Sequence, residues 1–346
     1  MKVLTAAPPL EPQAYPVGRR STLLIDAARD NRALGVDIWY PAVVADDPRA
    51  VYELLPGIAF ESAGAHHEPA VAAGQFPLVL FSHGRTGMRF AYSLLSEAIA
   101  ARGAVVVSAD HPGDALADWL LGTHVDDRTN EMNRVGDGRF LLDSFLAGAG
   151  HRTGLPDDLL ASIDPTRVAA AGHSYGAYTA LAMVAGARGV PADTRVGAVI
   201  GLQAYTRTMS DSALGRVHAP TLLVVAELDT ATPAESDGDR PWALLPGHPV
   251  WRLDLAAAAH QAASDMGLYA ELAHQISDLP QIVVDYLEST AADAVGPGLR
   301  PWRDGLLVQT RALWAFLDVV LQIDEARGLA EADRLGHAAG VSLTRR

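Results

Sequence analysis

The chain has 346 residues, with 27 lysines and arginines against 41 aspartates and glutamates, and it contains no cysteine. The lack of cysteine excludes a disulfide framework, cysteine-ligated metal centres and a thiolate nucleophile. The formal net charge of −14 argues against a nucleic-acid partner, because such partners are bound through basic surfaces.

The composition is typical of a globular enzyme, and the length allows one large α/β domain. The N-terminus has no apolar run of signal-peptide length, and no stretch reaches about 18 consecutive apolar residues. We therefore expect a cytoplasmic protein without stable membrane insertion. Nothing in the sequence indicates its oligomeric state.

The first part of the chain has weak structural signals. Residues 1–20 are rich in proline and predict an extended, weakly ordered arm. Two strand-like runs follow, at Ser21–Asp26 and Ala33–Tyr40. Residues 42–76 have the pattern of a loop with one short apolar piece.

From residue 77 onward, short apolar runs alternate with helical patterns. The predicted strands are Pro77–Phe81, Ala104–Ala109, Arg167–Gly172, Val196–Leu202, Thr221–Ala226 and Pro249–Leu255. The predicted helices are Met88–Arg102, Asn130–Ala149, Tyr175–Ala187 and a final helix at about Leu306–Gln322. This alternation predicts an α/β fold in which a mostly parallel central sheet is covered by helices on both faces.

The pattern contains no internal repeat and no long linker, so residues 21–323 are predicted to form one domain. Residues 324–346 are predicted to form a helical tail, because their charges have helical spacing. Two connections, at residues 111–162 and 265–305, are longer than the sheet requires. Since long connections in compact domains are usually functional, we expect them to supply a small helical cap or insertions.

One motif carries a specific chemistry. Residues Gly172-His173-Ser174-Tyr175-Gly176 fit the pattern G-x-S-x-G, directly after a predicted strand and directly before a predicted helix. In this setting the turn is sharp, the flanking glycines avoid steric overlap, and the serine is exposed above the sheet. Ser174 is therefore predicted to be a nucleophile, although a helix cap alone would also accommodate a serine.

A serine nucleophile requires a base and an orienting carboxylate, which follow it in the order acid, then histidine, in this architecture. Asp229 follows the strand Thr221–Ala226 and lies at the correct edge of the sheet, with Glu227 as its rival. His260 follows the last strand at the same edge. The other downstream histidines, His248, His274 and His337, lie at the wrong end of that strand, in a helical pattern and in the tail.

Acyl transfer also requires hydrogen-bond donors for the developing oxyanion. The backbone N–H of Tyr175 is one predicted donor, and the N–H of Arg85 is the other, with Gly84 as second choice. Gly84 and Tyr205, together with the Arg85 side chain, are further candidates for substrate contact. His83 precedes the nucleophile, so we expect it to form structural hydrogen bonds.

No metal or cofactor is predicted. The run His66-His67-Glu68 supplies adjacent ligand types in a polar stretch, but no clear third partner accompanies it. Such clusters are usually solvated surface, so we assign no metal site.

Several motifs resemble the α/β-hydrolase superfamily, and within it the bacterial platelet-activating-factor acetylhydrolase-like esterases of the predicted dienelactone hydrolase type. The similar segments are the strand Arg32–Pro41 ending in Trp-Tyr-Pro, the oxyanion loop Phe81-Ser-His-Gly84, the turn Asp110-His-Pro-Gly113, the helix motif R-x-x-D-x-R-x-x-x-D at Arg134–Asp143, the elbow Gly172–Gly176 and the segment His260–Asp265. The resemblance covers roughly residues 30–320 and implies an α/β-hydrolase fold and ester hydrolysis.

Some residues depart from the family's pattern. Ala263 stands where the family has an aromatic residue, and Gln203-Ala204-Tyr205 follows the strand after the nucleophile helix, where the acetylhydrolase has its acid. The second departure favours Asp229 as the acid and weakens transfer of the acetylhydrolase substrate. Dienelactone hydrolases use a cysteine nucleophile, so their activity is not implied for a chain without cysteine.

The sequence therefore predicts a serine hydrolase of carboxylic esters that acts through an acyl-enzyme on Ser174, with a small-molecule ester as its partner. Two alternatives remain open within the hydrolases: an amidase or peptidase, and a phospholipid-type ester hydrolase, because the same triad serves all of them. A third alternative is a non-catalytic binding protein with this fold, which should have lost a triad member.

Overall fold

The computed structural model describes residues 2–5, 8–11, 14–147, 154–276 and 279–346. Parts of the predicted N-terminal arm (residues 1, 6–7 and 12–13), of the first predicted cap segment (148–153, including the end of the helix predicted to reach Ala149) and of the second (277–278) lie outside these residues. The described strands join one twisted sheet, which is covered by helices.

The strands follow the alternating apolar runs of the sequence, with additional strands near both ends of the chain. They are β1 (Lys2–Thr5), β2 (Val17–Asp26), β3 (Arg32–Val43), β4 (Arg49–Leu55), β5 (Ile58–His67), β6 (Ala70–Val71), β7 (Phe76–Ser82), β8 (Val105–Ala109), β9 (Ile163–His173), β10 (Ala198–Leu202), β11 (Thr221–Ala226), β12 (Val250–Leu255) and β13 (Val341–Arg345).

The helices connect these strands and close the chain. They are α1 (Ser93–Ala101), α2 (Leu116–Leu121), α3 (Asp127–Leu146), α4 (Asp157–Ala161), α5 (Tyr175–Ala185), α6 (Asp211–Leu214), α7 (Arg240–Leu244), α8 (Met266–Ala273), α9 (Gln281–Ala291), α10 (Trp302–Val320) and α11 (Glu325–Leu335). None of the helices in the described ranges combines the length and apolarity needed to cross a membrane.

The centre of the sheet has the order β3-β8-β7-β9-β10-β11-β12. All neighbours from β8 to β12 are parallel, whereas β3 is antiparallel to β8. Both faces are covered: Val79 and Phe81 of β7 pack into one core cluster, and Leu78 and Leu80 pack into the other. This double burial explains why the central strands are continuous apolar runs.

Residues 42–76 are not the loop that their sequence predicts. They form β4, β5 and β6, and β5 pairs with β1, β2 and β4. Part of the N-terminal arm, which the sequence predicts to be weakly ordered, therefore forms a strand of the sheet, β1. These strands lie at one side of the sheet, where half-exposed residues mix polar and apolar side chains, so the local hydropathy signal is weak.

The C-terminal tail is only partly the helix that its charge spacing predicts. It begins with α11 but ends in β13, which pairs antiparallel with β12 and closes that edge of the sheet. In the first predicted cap segment, α3 packs against α5 in the helical layer beside the sheet. The second segment contains α8 and α9, which follow the loop that begins at His260.

Candidate active site

The turn from β9 into α5 places Ser174 above the carboxyl edge of the parallel strands. Its backbone φ of 54° lies in the left-handed region, which is unusual for a residue with a side chain. A Cβ on Gly172 would overlap the backbone of Gly176, and a Cβ on Gly176 would overlap the carbonyl of Ser82. The glycines therefore allow the turn to fold back tightly against β7, which presents the serine hydroxyl.

Three predicted side chains meet at this turn although they come from separate loops. The Oγ of Ser174 lies 2.9 Å from Nε2 of His260, and Nδ1 of His260 lies 2.8 Å from Oδ2 of Asp229. Asp229 follows β11, and His260 opens a short 3₁₀ turn (His260–Ala263) after β12. Parallel strands thus bring their carboxyl ends, and the residues that follow them, to one edge.

The acid of this group remains ionised. Burial by itself would raise the pKa of Asp229, but hydrogen bonds from His260 and Thr232 outweigh burial and hold its pKa below the usual range. The Thr232 hydroxyl donates to Oδ2 at 2.6 Å, and the N–H groups of Ala231 and Thr232 donate to Oδ1 at 2.8 Å. An ionised Asp229 can hold the Nδ1–H tautomer of His260, which leaves Nε2 free to accept a proton.

The rival residues lie elsewhere. Glu227 is exposed, and its carboxylate accepts the backbone N–H of Ala257 at 2.8 Å. The three other downstream histidines, His248, His274 and His337, are all exposed. The structure thus brings together the preferred acid and base, not the alternatives; their catalytic roles stay a prediction.

The loop after β7 supplies the second side of the site. A Cβ added to Gly84 would lie 3.4 Å from the Cβ of Ser174, so the loop backbone passes directly beside Ser174. The N–H of Gly84 is engaged, because it donates to the Tyr92 hydroxyl at 3.2 Å. Within the described ranges, the backbone N–H groups of Arg85 and Tyr175 have no protein acceptor. This arrangement favours Arg85 over Gly84 as the second oxyanion donor.

A buried ion pair that sequence reasoning left without a role holds this loop from below. Arg134 of α3 is fully buried and donates to the backbone carbonyls of His83 and Gly84, at 2.8 and 3.2 Å. Its Nε donates to Asp114 at 2.8 Å, and the same carboxylate accepts the Asn130 side chain at 2.7 Å. Asp114, which follows the turn Asp110–Gly113, and Arg134, which begins the helix motif Arg134–Asp143, therefore support the oxyanion loop.

Three buried histidines surround the site without belonging to the triad: His83, His111 and His173. His83 has the structural hydrogen bonds that we expected, since its Nδ1 lies 2.7 Å from the Gly84 carbonyl and its Nε2 accepts the His111 N–H at 3.2 Å. Burial lowers the pKa of all three, with further lowering from Arg134 at His83 and His111 and from His260 at His173. They are therefore neutral at physiological pH.

These neutral histidines should make stability fall in mild acid. Each folded-state pKa is below the unfolded value of about 6.5, so below that pH the unfolded chain binds protons that the folded chain does not. Stability from each ring is complete above about pH 6.5 and declines as pH falls, by up to about 1.4 kcal/mol per pH unit. Urea unfolding between pH 7 and 5 should show a shallower decline for His173→Gln than for the wild type.

The difference between variant and wild type is the informative quantity, because burial raises the pKa of Asp265 to about 7 and also raises that of Glu97. Raised carboxyl pKa values act in the opposite sense, since those groups bind protons more tightly in the folded state. The exposed His218 offers a matched control, and His218→Gln should leave the decline unchanged. Identical declines for His173→Gln and the wild type would contradict a neutral buried His173.

Aromatic and cationic side chains surround Tyr175, the residue that follows Ser174. The Tyr205 ring stacks on the Tyr175 ring with centroids 5.2 Å apart, and the Tyr205 N–H donates to the Ser174 carbonyl at 3.0 Å. The Arg85 guanidinium lies 4.6 Å from the centre of the Tyr175 ring and pairs with Asp127. Tyr205 thus contacts the nucleophile turn through its backbone, while its ring and the Arg85 side chain flank Tyr175.

An apolar pocket lies near the oxyanion loop, and Met88, which follows that loop, is one of its lining residues. Its walls come mainly from α2, α8 and α9, through Leu116, Tyr269 and Tyr286 among others. No residue of the His66-His67-Glu68 run lines it. Among the residues that the structure describes, no group of three histidine, aspartate or glutamate side chains is arranged to hold a metal ion.

Residues that sequence reasoning missed around the triad are Thr232, Tyr92 and His173. Thr232 follows Asp229 by three positions, a spacing at which a hydroxyl returns to a carboxylate, and it could have been found from that signal. His173 is a polar residue at the end of an apolar strand, which is a weaker signal. Tyr92 contacts His173 across 81 positions of chain, and no local pattern indicates it.

Comparison with known families gives a partial match. Residues 60–135 match the family model described as platelet-activating factor acetylhydrolase, isoform II. This segment contains the oxyanion loop and Arg134 but ends before the nucleophile turn. A search of curated proteins found no match.

Comparison with solved structures covers nearly the whole chain. A ferulic acid esterase from Streptomyces cinnamoneus superposes with a TM-score of 0.70 and 24% identity, over 92% of this chain and 93% of that one. The α/β-hydrolase fold and the resemblance to platelet-activating-factor acetylhydrolase-like enzymes are thereby confirmed. Since 786 solved chains match, the fold alone does not select a substrate.

Proposed function

We propose that this protein is a serine hydrolase that cleaves carboxylic esters of small molecules through an acyl-enzyme on Ser174. The observation that carries the proposal is the continuous arrangement Ser174–His260–Asp229, with hydrogen-bond distances of 2.9 and 2.8 Å. The partial family match and the structural neighbour support it, because the family model is described as an acetylhydrolase and the neighbour is named an esterase.

In the proposed first half-reaction, Nε2 of His260 accepts the hydroxyl proton of Ser174 as Oγ attacks the ester carbonyl carbon. The carbonyl oxygen becomes an oxyanion, which the N–H groups of Tyr175 and Arg85 stabilise. The tetrahedral intermediate then expels the alcohol, which takes its proton from His260. The acyl group remains on Ser174 as an ester.

In the second half-reaction, water gives a proton to His260 and attacks the acyl carbon, and Ser174 leaves with that proton restored. Asp229 remains ionised throughout and stabilises the imidazolium that forms twice in each cycle. We assign the apolar pocket lined by Met88 to an apolar group of the substrate. The chemistry of that group is open to direct measurement.

A paired substrate series tests the proposal on the wild-type protein. p-Nitrophenyl esters from acetate to long acyl chains should be hydrolysed, with a burst of about one p-nitrophenol per chain if deacylation is slower than acylation. The matching p-nitroanilides should be cleaved much more slowly. A fluorophosphonate probe should attach to one peptide, the one that contains Ser174.

The alternatives give different results. Faster cleavage of anilides than of esters would indicate an amidase or peptidase, and activity restricted to phospholipid esters would indicate the lipid-directed alternative. A folded protein that hydrolyses no ester or anilide and is not labelled by the probe would overturn the proposal in favour of a binding protein.

A further inference from the structure

Two buried polar side chains lie beneath the triad and have no place in the reaction steps above. Tyr92 precedes α1 and is 3% exposed, and His173 ends β9 and is 1% exposed. Their rings are packed together, with centroids 5.5 Å apart. Polar groups buried this deeply destabilise the folded protein unless their hydrogen bonds are satisfied.

Their hydrogen bonds form one directed chain. Nε2 of His173 faces the backbone carbonyl of His260 at 2.7 Å, so this nitrogen carries the ring proton. Nδ1 is then an acceptor, and the Tyr92 hydroxyl donates a hydrogen bond to it at 2.8 Å. The Tyr92 oxygen in turn accepts the N–H of Gly84 at 3.2 Å. The chain therefore runs from Gly84 through Tyr92 and His173 to His260.

This direction is stable over a wide pH range. Burial and the neighbouring His260 lower the pKa of His173 to about 3, so the ring stays neutral. Burial raises the pKa of Tyr92, so its hydroxyl keeps its proton. A protonated His173, or its other tautomer, would place a hydrogen on Nδ1 and break the bond from Tyr92.

The two ends of the chain lie at the two parts of the site that must act together. Gly84 directly precedes Arg85, so an acceptor for the Gly84 N–H orients the peptide that leads to the predicted oxyanion donor. His260 is the predicted base, and its carbonyl is held by His173. A misplacement of about 1 Å between catalytic groups can lower a rate by about 100-fold.

We propose that Tyr92 and His173 are positioning residues that hold the oxyanion loop and the loop of the catalytic histidine in a fixed relation. The inference rests on the proposed function for its kinetic consequence. Its structural content, which is the tautomer and the continuity of the chain, does not depend on turnover.

Tyr92→Phe tests the proposal, because it removes the hydroxyl and keeps the ring that packs on Phe81. We expect kcat for p-nitrophenyl esters to fall by about 10- to 100-fold, with KM within about threefold of the wild type. His173→Gln, which retains a side-chain donor, should keep more of kcat than His173→Leu. The double variant Tyr92→Phe/His173→Gln should have a kcat within about threefold of that of the slower single variant, because both substitutions interrupt the same hydrogen-bond chain.

A matched control is Tyr40→Phe, another fully buried tyrosine, whose hydroxyl donates to the Pro69 carbonyl at 2.9 Å far from the triad. It should leave kcat unchanged. Losses that multiply in the double variant, a Tyr92→Phe rate within twofold of the wild type, or a rate loss that matches the loss of folded protein would each overturn the proposal.

A second measurement works without turnover. ¹⁵N NMR of histidine-labelled wild-type protein should show His173 as the neutral Nε2–H tautomer throughout pH 5–8, and Tyr92→Phe should shift its Nδ1 signal. An Nδ1–H tautomer, or a titration of His173 in this range, would overturn the hydrogen-bond chain. If esters are not hydrolysed while the NMR result holds, the proposed function is wrong but the hydrogen-bond chain from Gly84 to His260 is confirmed.

Discussion

Replacing Ser174 by alanine should lower kcat for p-nitrophenyl esters by about 10⁴- to 10⁶-fold, because no other group at the site can form the acyl-enzyme. The residual rate should come from the donors of the oxyanion loop and from substrate binding. The Ser174 side chain forms a hydrogen bond with His260 at 2.9 Å. Alanine has the same Cβ as serine, so it can adopt the backbone φ of 54° that Ser174 already has. The substitution should therefore leave the fold intact.

Circular dichroism and urea unfolding of the variant would verify that fold, and fluorophosphonate labelling should disappear together with the activity. Ser212→Ala is a matched control, since Ser212 is exposed on α6 away from the triad, and it should retain full turnover. Equal turnover by the wild type and Ser174→Ala would rule out the triad assignment, whatever the fold.

Replacing Arg134 by methionine should lower the free energy of unfolding by about 3–5 kcal/mol, which is the usual cost of leaving one partner of a buried ion pair alone. Asp114, which is 1% exposed, would keep only the more distant guanidinium of Arg85, 3.9 Å away, and the carbonyls of His83 and Gly84 would lose their donor. Because these carbonyls belong to the oxyanion loop, kcat should also fall in the protein that remains folded. Urea unfolding measures the first effect and ester turnover the second.

A second variant separates the stability cost of the unpaired Asp114 carboxylate from that of the lost Arg134 contacts. Arg134→Met combined with Asp114→Asn should recover part of the stability, because the buried carboxylate is then neutral. Arg128→Met, at an exposed position on the same helix, should change the free energy of unfolding by less than about 0.5 kcal/mol. A cost below about 1 kcal/mol for Arg134→Met would mean that the ion pair does not support this loop.

The predicted strands and the nucleophile turn could be located from sequence because their signals are local. A strand buried on both faces is an apolar run whatever its neighbours are, and the run Pro77–Phe81 lies within β7 (Phe76–Ser82) for this reason. The turn at Ser174 carries its own glycines, whose absence of side chains the tight backbone requires. The acid and the histidine could be located because parallel strands end at the same edge of the sheet.

The edge strands were beyond the reach of local patterns. β13 has alternating half-buried and exposed residues, and its strand conformation depends on pairing with β12. β1 likewise becomes a strand through its pairing with β5, which lies far away in the chain. The charge spacing at the start of the tail predicted α11 but carried no information on the strand that follows it.

The sequence by itself determined the α/β architecture, the nucleophile turn, and which acid and histidine follow the correct strands. Only the tertiary structure decided what holds these groups in place: the Arg134–Asp114 pair under the oxyanion loop and the chain through Tyr92 and His173. The physical reason is separation along the chain. Hydropathy and turn signals act over a few residues, whereas the Tyr92–His173 and His173–His260 hydrogen bonds join residues 81 and 87 positions apart, which meet only when the sheet and its loops have formed.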